Sequence, residues 1–358
     1  MRVIISAGGT GGHIYPALSI IQKIKEEEPD SEFLYIGTKN RMESKIVPEK
    51  NIPYLGINII GLKKDLSIFK AFPLFIKAIG ICKKEIKKFN PDIVIGVGGY
   101  ITAPVIYSAK KLGFKTMIHE QNSIPGKSNR FLEKYTDKVL VSLEGSQKYF
   151  KKETIFTGNP RSEEAFKAKV IDKKELGLTK NKKLVLIVMG SLGSMTINEA
   201  LKDIIAKFSS KEYEVIIVTG NDYYDDFKKI NIPKNVKVLP YLNNMINVMG
   251  QVDLIISRAG ASTIAEILAL GIPSILVPSP YVANNHQYYN AMELVDNKAS
   301  VLLEEKDFNS DNLLKKIDLV LNDSVLYKEM HDNALKLGTT NSCDKIYQEI
   351  KKLVSSKR

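Results

Sequence analysis

Apolar residues in this chain cluster in short unbroken runs with little polar alternation. The segments 3–6 (VIIS), 93–97 (IVIGV), 184–189 (LVLIVM) and 254–257 (LIIS) are rich in Val and Ile. Runs of this kind suit strands buried on both faces of a parallel sheet. The pattern predicts strands at Val3–Ser6, Phe33–Gly37, Ile93–Val97, Thr116–His119 and Val139–Val141. A second set is predicted at Leu184–Met189, Val215–Thr219, Lys237–Leu239, Leu254–Ser257 and Ser274–Val277. Between them, apolar positions recur at helical spacing in Tyr15–Glu27, Ile197–Phe208 and Thr263–Leu270, and the tail Cys343–Lys357 reads as a helix.

Alternating strands and helices predict an α/β fold with parallel sheets. An apolar strand running into a glycine loop occurs twice at domain scale, in "VIISAGGTGG" and in "VLIVMGSLGS". That repetition predicts two Rossmann-like halves in tandem. The charged segment Lys167–Lys183 reads as a boundary region. A length of 358 residues gives each half a core of its own. Hydrophobic content of 44% and charged content of 26% fit a soluble globular chain. Cys82 and Cys343 give neither a disulfide framework nor metal-ligand spacing, which predicts a reducing compartment. The start carries no secretory pattern, and no apolar run is long enough to span a bilayer.

The net charge of +12 is uneven. Residues 1–160 hold 25 Lys and Arg against 15 Asp and Glu, and the remainder holds 27 against 25. Nucleic acid, an anionic membrane surface or a phosphorylated substrate could each use this bias, and so could simple lysine-rich composition. No helix-turn-helix, RNP or finger motif accompanies it, which argues against nucleic acid.

In open α/β sheets, ligands sit beyond the carboxyl ends of the strands, and a glycine loop leading into a helix offers backbone N–H groups to an anion. The first loop, "GGTGGHIYPAL" (Gly8–Leu18), lacks the Gly-Lys-Ser/Thr of a Walker loop. It also fails G-x-G-x-x-G, because Ile14 holds the last position, and the second strand ends "YIGTKN" with no acid for a ribose. A third glycine cluster, "GVGGYITAP" (Gly96–Pro104), follows another apolar strand.

Six motifs occur in order: "GGTGGHIYPAL", "GVGGYITAP", "HEQN" (His119–Asn122), "GNPR" (Gly158–Arg161), "RAGASTIAE" (Arg258–Glu266) and "NHQYYNA" (Asn285–Ala291). Through them the chain resembles the MurG family, bacterial peptidoglycan N-acetylglucosaminyltransferases of the GT-B class. The resemblance runs from Arg2 to the C-terminal helix. It implies two Rossmann-like domains facing a cleft. Residues 1–160 would form an acceptor- and membrane-facing domain, residues 161–340 a UDP-GlcNAc-binding domain, and a helix at about 341–358 would pack back on the first. The implied reaction is inverting transfer of N-acetylglucosamine from UDP-GlcNAc to the 4-hydroxyl of MurNAc in undecaprenyl-pyrophosphoryl-MurNAc-pentapeptide. The implied place is peripheral, on the cytoplasmic membrane face.

Such a displacement needs a base for the acceptor hydroxyl and a stabiliser for the departing UDP. His13, at a loop-to-helix junction, is the first candidate base, with Glu120 and His119 as alternates. Arg161 and the loop Gly190–Gly193 with Ser191 are candidates for the leaving diphosphate. By resemblance, Thr10, Gly11 and Gly12 approach phosphates and Asn122 contacts a sugar. Ala261, Ser262, Thr263, Ile264, Ala265 and Glu266 line the nucleotide site, with Glu266 on the ribose hydroxyls. Gln287 bonds GlcNAc hydroxyls, and backbone groups at Leu242 meet the uracil. The second loop departs from the family's usual G-G-S-Q-G-A-R, carrying Leu192 and Met195 where polar groups are usual. A different UDP-sugar transferase, or a binding protein that has lost catalysis, stays open as an alternative. The chain has no D-x-D pair, so no required metal and no cofactor are expected.

Segment 61–89 interleaves Leu66, Phe69, Phe72 and Phe75 with eight lysines. Aromatic anchors rimmed by lysine suit an anionic membrane leaflet. A helix with one face in the protein core would explain many of the same residues.

Overall fold

The computed structural model describes residues 1–61, 68–190 and 193–356. The chain divides into two compact units, Met1–Arg161 with Asn341–Arg358, and Ser162–Thr340. The charged segment 167–183 lies inside the second unit, where Lys173 is buried with its ammonium on the Lys182 carbonyl and Asp253.

Unit 1 is a seven-stranded parallel sheet. Its strands are β1 (Arg2–Ala7), β2 (Glu32–Thr38), β3 (Tyr54–Ile57), β4 (Ile93–Gly98), β5 (Lys115–Glu120), β6 (Lys138–Val141) and β7 (Thr154–Phe156). Their spatial order is β3-β2-β1-β4-β5-β6-β7. Unit 2 has six parallel strands, β8 (Leu184–Val188), β9 (Glu214–Val218), β10 (Val236–Leu239), β11 (Leu254–Ser257), β12 (Ser274–Leu276) and β13 (Ser300–Leu302). Their order is β10-β9-β8-β11-β12-β13. These are two Rossmann-like domains, as the apolar runs predict. The strands absent from the expected set are β3, β7 and β13. All three are edge strands of three or four residues. Most of their residues are half-buried, so they lack the double-faced apolar run that marks the central strands.

Side chains alternate across each strand, so one run of Val and Ile feeds two cores. In unit 1, Val3, Ile5, Ile93 and Ile95 face the helix Gly11–Glu27 and the C-terminal helix Ser342–Ser355. Ile4, Val94, Ile118 and Val139 face the helices Ile68–Phe89 and Thr102–Lys111. The C-terminal helix is held chiefly by Ile346, Ile350 and Leu353, each worth about 2 kcal/mol when buried. Its ion pair Lys351–Glu28 has an exposed lysine, so solvent screens it and the apolar contacts carry the packing.

Both sheets reverse their strand order beside the first strand of the unit, between β1 and β4 and between β8 and β11. Crossovers there leave to opposite sides and open a crevice at the carboxyl ends. Backbone must approach backbone closely at the first of these points. Gly8 N–H donates to the Gly98 carbonyl at 3.2 Å. Gly99 has φ +88°, and a Cβ on it would overlap the Gly8 carbonyl oxygen. Gly99→Ala is therefore expected to cost about 2 kcal/mol or more, read as a lower midpoint in urea unfolding. An unchanged midpoint would show that the loop relaxes freely.

Candidate active site

The first glycine loop ends in Thr10, which has extended backbone and precedes the helix Gly11–Glu27. The His13 and Ile14 amides bond to the Thr10 carbonyl, whereas the Gly11 and Gly12 amides open the helix and have no acceptor within it. Pro16 has no N–H, so the Gly12 carbonyl also lacks its usual partner four residues on. His13 lies across Gly98, where a Cβ would overlap its ring. Its Nδ1 is 3.1 Å from the Gly8 carbonyl and 3.4 Å from Thr10 Oγ1. A carbonyl only accepts, so Nδ1 carries the proton and Nε2 the basic lone pair.

The other candidate bases are engaged differently. His119 is fully buried, with Nε2–H donating to the Gly158 carbonyl at 3.0 Å and Nδ1 accepting from Gln121 at 2.9 Å. Burial pushes its imidazole down to about 4. It ties β5 to the segment after β7 as a neutral peg. Glu120 is 2% exposed. One carboxylate oxygen accepts from the Asn122 amide at 2.9 Å and its side chain at 3.3 Å, and the other from Gly126 N at 3.0 Å and Asn129 Nδ2 at 2.9 Å. With four donors on it, Glu120 orders the loop 121–126 and sets the Asn122 backbone.

Arg161 belongs to unit 1. Its guanidinium lies 5.6 Å from the centre of the Tyr15 ring, two residues beyond His13. The structure thus gathers Thr10, Gly11, Gly12, His13 and Arg161 around one helix start.

In unit 2 the described residues on either side of Ser191 and Leu192 are Gly190 and Gly193, both with positive φ; Ser191 itself lies outside the described residues. Ser194 precedes the helix Met195–Ile204, whose first residue, Met195, is 65% exposed. Arg258, at the end of β11, donates to Ser194 Oγ at 2.8 Å and to the Val277 carbonyl at 3.1 Å, and pairs with buried Glu305 at 2.5 Å. From the loop after β11 it ties together the loops after β8, β12 and β13. Ala261, Ser262 and Thr263 open the helix Ala261–Leu270 beside Gly260, over which a Cβ would meet nothing within 4 Å. Ser262 Oγ is buried and has no hydrogen-bond partner among the described residues. The Ile264 side chain is fully buried and its amide bonds to the Gly260 carbonyl at 2.9 Å, so Ile264 packs the helix. Ala265 and Glu266 are buried on the same helix. Gln287 Oε1 accepts from Ser279 N at 2.9 Å, and Asn290 Nδ2 holds the Ala259 carbonyl at 3.1 Å. Leu242 follows β10 on the same carboxyl edge. Among the described residues no group of three or more His, Cys, Asp or Glu could hold a metal ion.

Residues 3–141 match the glycosyltransferase family 28 N-terminal domain and residues 184–349 the family 28 C-terminal domain. The chain is 46% identical to the UDP-N-acetylglucosamine–N-acetylmuramyl-(pentapeptide) pyrophosphoryl-undecaprenol N-acetylglucosamine transferase 1 of Bacillus cereus, over 99% of this chain and all of that one. This chain belongs to the MurG family. The corresponding transferase of Bacillus licheniformis is 44% identical over 99% of both chains. The crystal structure of Acinetobacter baumannii MurG superposes with a TM-score of 0.81 at 26% identity, covering 98% of this chain and 99% of that one. The MurG-family resemblance and the GT-B class expected from the motifs therefore hold.

Sequence reasoning missed three residues that shape this MurG-family site. Arg258 stands in a quoted motif, yet its clamp on Ser194 needs the fold to be seen. Glu305 and Glu43 belong to none of the quoted motifs, and both are buried. Glu43 lies under the first loop, accepting from Gly9 N at 3.2 Å and from Thr38 N and Oγ1 at 3.1 and 2.6 Å.

The buried neutral His119 gives a pH prediction. Its folded value near 4 lies below the usual 6.5. Stability is thus complete above about pH 6.5 and falls as pH drops towards 4, by about 3 kcal/mol in all. In His119→Gln this component of the pH dependence should vanish from urea unfolding curves; an identical slope in wild type and variant would contradict it.

Proposed function

We propose that the chain works through two separately built sites, the lipid-linked acceptor on unit 1 and the nucleotide-sugar donor on unit 2. Its reaction transfers N-acetylglucosamine from UDP-N-acetylglucosamine to the 4-hydroxyl of MurNAc in undecaprenyl-pyrophosphoryl-MurNAc-pentapeptide, a step of peptidoglycan synthesis. The observation that carries the site reading is the Nδ1–H bond from His13 to the Gly8 carbonyl, at a helix start on the β1/β4 reversal.

With that proton fixed, Nε2 of His13 takes the proton of the acceptor hydroxyl as its oxygen attacks the anomeric carbon. The bond from that carbon to the UDP oxygen breaks, and UDP leaves with the bonding electrons. A single displacement inverts the centre. Gly11 and Gly12 amides and Thr10 hold the acceptor's pyrophosphate, and Arg161, expected from the sequence at the leaving diphosphate, is reassigned to the acceptor's because it belongs to unit 1 beside the same helix. Asn122, set by Glu120, meets its sugar. On unit 2, the helix starts at Met195 and Ala261 face the donor's diphosphate and nucleoside, with the Ser262 hydroxyl beside the second; Ser191, which the sequence assigns to the diphosphate, lies outside the described residues. Glu266 takes the ribose, Gln287 the GlcNAc hydroxyls and the Leu242 backbone the uracil. Backbone amides and helix dipoles meet the leaving charge, so the reading needs no metal.

His13→Ala should lower turnover by about 10²–10⁴-fold while leaving UDP-GlcNAc affinity unchanged, in an assay of label transfer to a lipid-linked muramyl-pentapeptide analogue. Near-normal turnover would remove His13 from the role of base.

An undecaprenyl acceptor brings unit 1 to a membrane surface. On the helix Ile68–Phe89, Phe72 and Ile76 are 58% and 52% exposed, while Phe75 packs partly into the core. Leu66 and the Phe69 side chain lie outside what is described. No described helix is long and apolar enough to cross a membrane. Peripheral attachment to the anionic cytoplasmic leaflet follows from two exposed apolar side chains among lysines, each lysine adding about 1 kcal/mol near such a surface. Changing Phe72 and Ile76 to Ser together should abolish flotation with anionic liposomes; undiminished flotation would sink this part of the reading.

A further inference from the structure

Two of the hydrogen bonds that hold the first loop meet on one peptide group. Gly9 N–H donates to Glu43 Oε2 at 3.2 Å, and the Gly8 carbonyl accepts from His13 Nδ1–H at 3.1 Å. Gly8 C=O and Gly9 N–H are the two ends of the same amide. Glu43 is fully buried, and its other oxygen is fixed by the Thr38 amide and hydroxyl. There is no room for it to swing away. A Cβ on Gly8 would overlap Glu43 Oε1, and one on Gly37 would press on Glu43 Cγ.

We propose that Glu43 is a positioning residue for the transfer, acting on His13 through the Gly8–Gly9 peptide in a carboxylate–peptide–imidazole relay. The inference rests on the reading of His13 as base. A carboxylate accepting from the N–H end polarises the amide and makes its carbonyl a stronger acceptor for Nδ1–H. That fixes the tautomer with the lone pair on Nε2. It also favours the imidazolium that forms when Nε2 takes the acceptor's proton, as a carboxylate bonded directly to Nδ1–H would. No atom or electron pair changes place within the relay, because the transferred proton stays on Nε2.

The titratable groups that face the pair do not compete with it near neutral pH. Tyr35 and Tyr54 face Glu43, and burial together with its charge holds both phenols well above their usual range. Arg161, over Tyr15, stays cationic. The two tyrosine rings stack on each other 5.9 Å apart, and Tyr35 O–H donates to the Ala7 carbonyl at 3.1 Å.

Glu43→Gln keeps an acceptor for Gly9 N–H and removes the charge. The ring titration of His13, followed by NMR in a chain with only four histidines, should fall by about one unit. The acid limb of kcat/KM should move down with it, and kcat should fall about tenfold at neutral pH with UDP-GlcNAc affinity unchanged. A merely structural role would lower folded yield without moving the ring titration, so an unmoved His13 titration in folded Glu43→Gln overturns the relay. If Glu43→Gln does not fold, ¹⁵N shifts of His13 in the unaltered protein decide: a proton on Nδ1 supports the relay and one on Nε2 overturns it. Full turnover of His13→Ala, with the His13 titration still shifted in Glu43→Gln, would instead reject His13 as base and with it the relay's part in the transfer, leaving only the Glu43–His13 coupling.

Discussion

The close packing of two glycine turns against one histidine is the constraint on which the unit 1 site depends. β1 and β4 are neighbours in the sheet, and their chains leave to opposite sides at its carboxyl edge. The loops can clear each other only if side chains are absent at the crossing. Gly98 leaves room for the His13 ring, and Gly99 leaves room for the Gly8 carbonyl. That carbonyl then becomes the acceptor that fixes the imidazole. Steric necessity and acid–base chemistry therefore share the same few atoms.

Unit 2 solves the equivalent problem with a side chain. Arg258 spans three loops at the β8/β11 reversal, using Ser194, the Val277 carbonyl and Glu305. A buried guanidinium paired with a buried carboxylate is costly to desolvate. Its use here fits a site where loop geometry matters more than net stability. The contrast is physical: unit 1 buries a carboxylate, Glu43, under its loop, whereas unit 2 buries a cation among its loops. Beside each brace, amides at helix starts are the groups suited to an anion, with the Arg161 guanidinium near those of unit 1.

The roles of the polar residues in "HEQN" divide along the same line. His119 and Gln121 point into the protein and hold β5 in place. Glu120 orders the turn that follows, and Asn122 is left at the half-buried rim. Four consecutive polar residues thus look alike in sequence and differ entirely in what they touch. Strand alternation separates His119 from Glu120, and the turn beyond β5 separates Gln121 from Asn122.

The apolar runs alone determined the two parallel sheets, because a strand buried on both faces must be apolar at every position. The six ordered motifs carried the resemblance to the family, and the matches over residues 3–141 and 184–349 bear it out. What the sequence could not express was contact between distant positions. The edge strands β3, β7 and β13 carry no double-faced pattern, and only pairing with a neighbour defines them. Phe75 and Phe72 are three residues apart in one amphipathic helix, and only packing against the sheet turns one inward and leaves the other exposed. Glu43 belongs to no motif in the sequence, and its carboxylate finds its partners only when β2 and the first loop close over it. Burial and hydrogen-bond direction are properties of the assembled unit, and they decided which histidine keeps a basic nitrogen beside the loop.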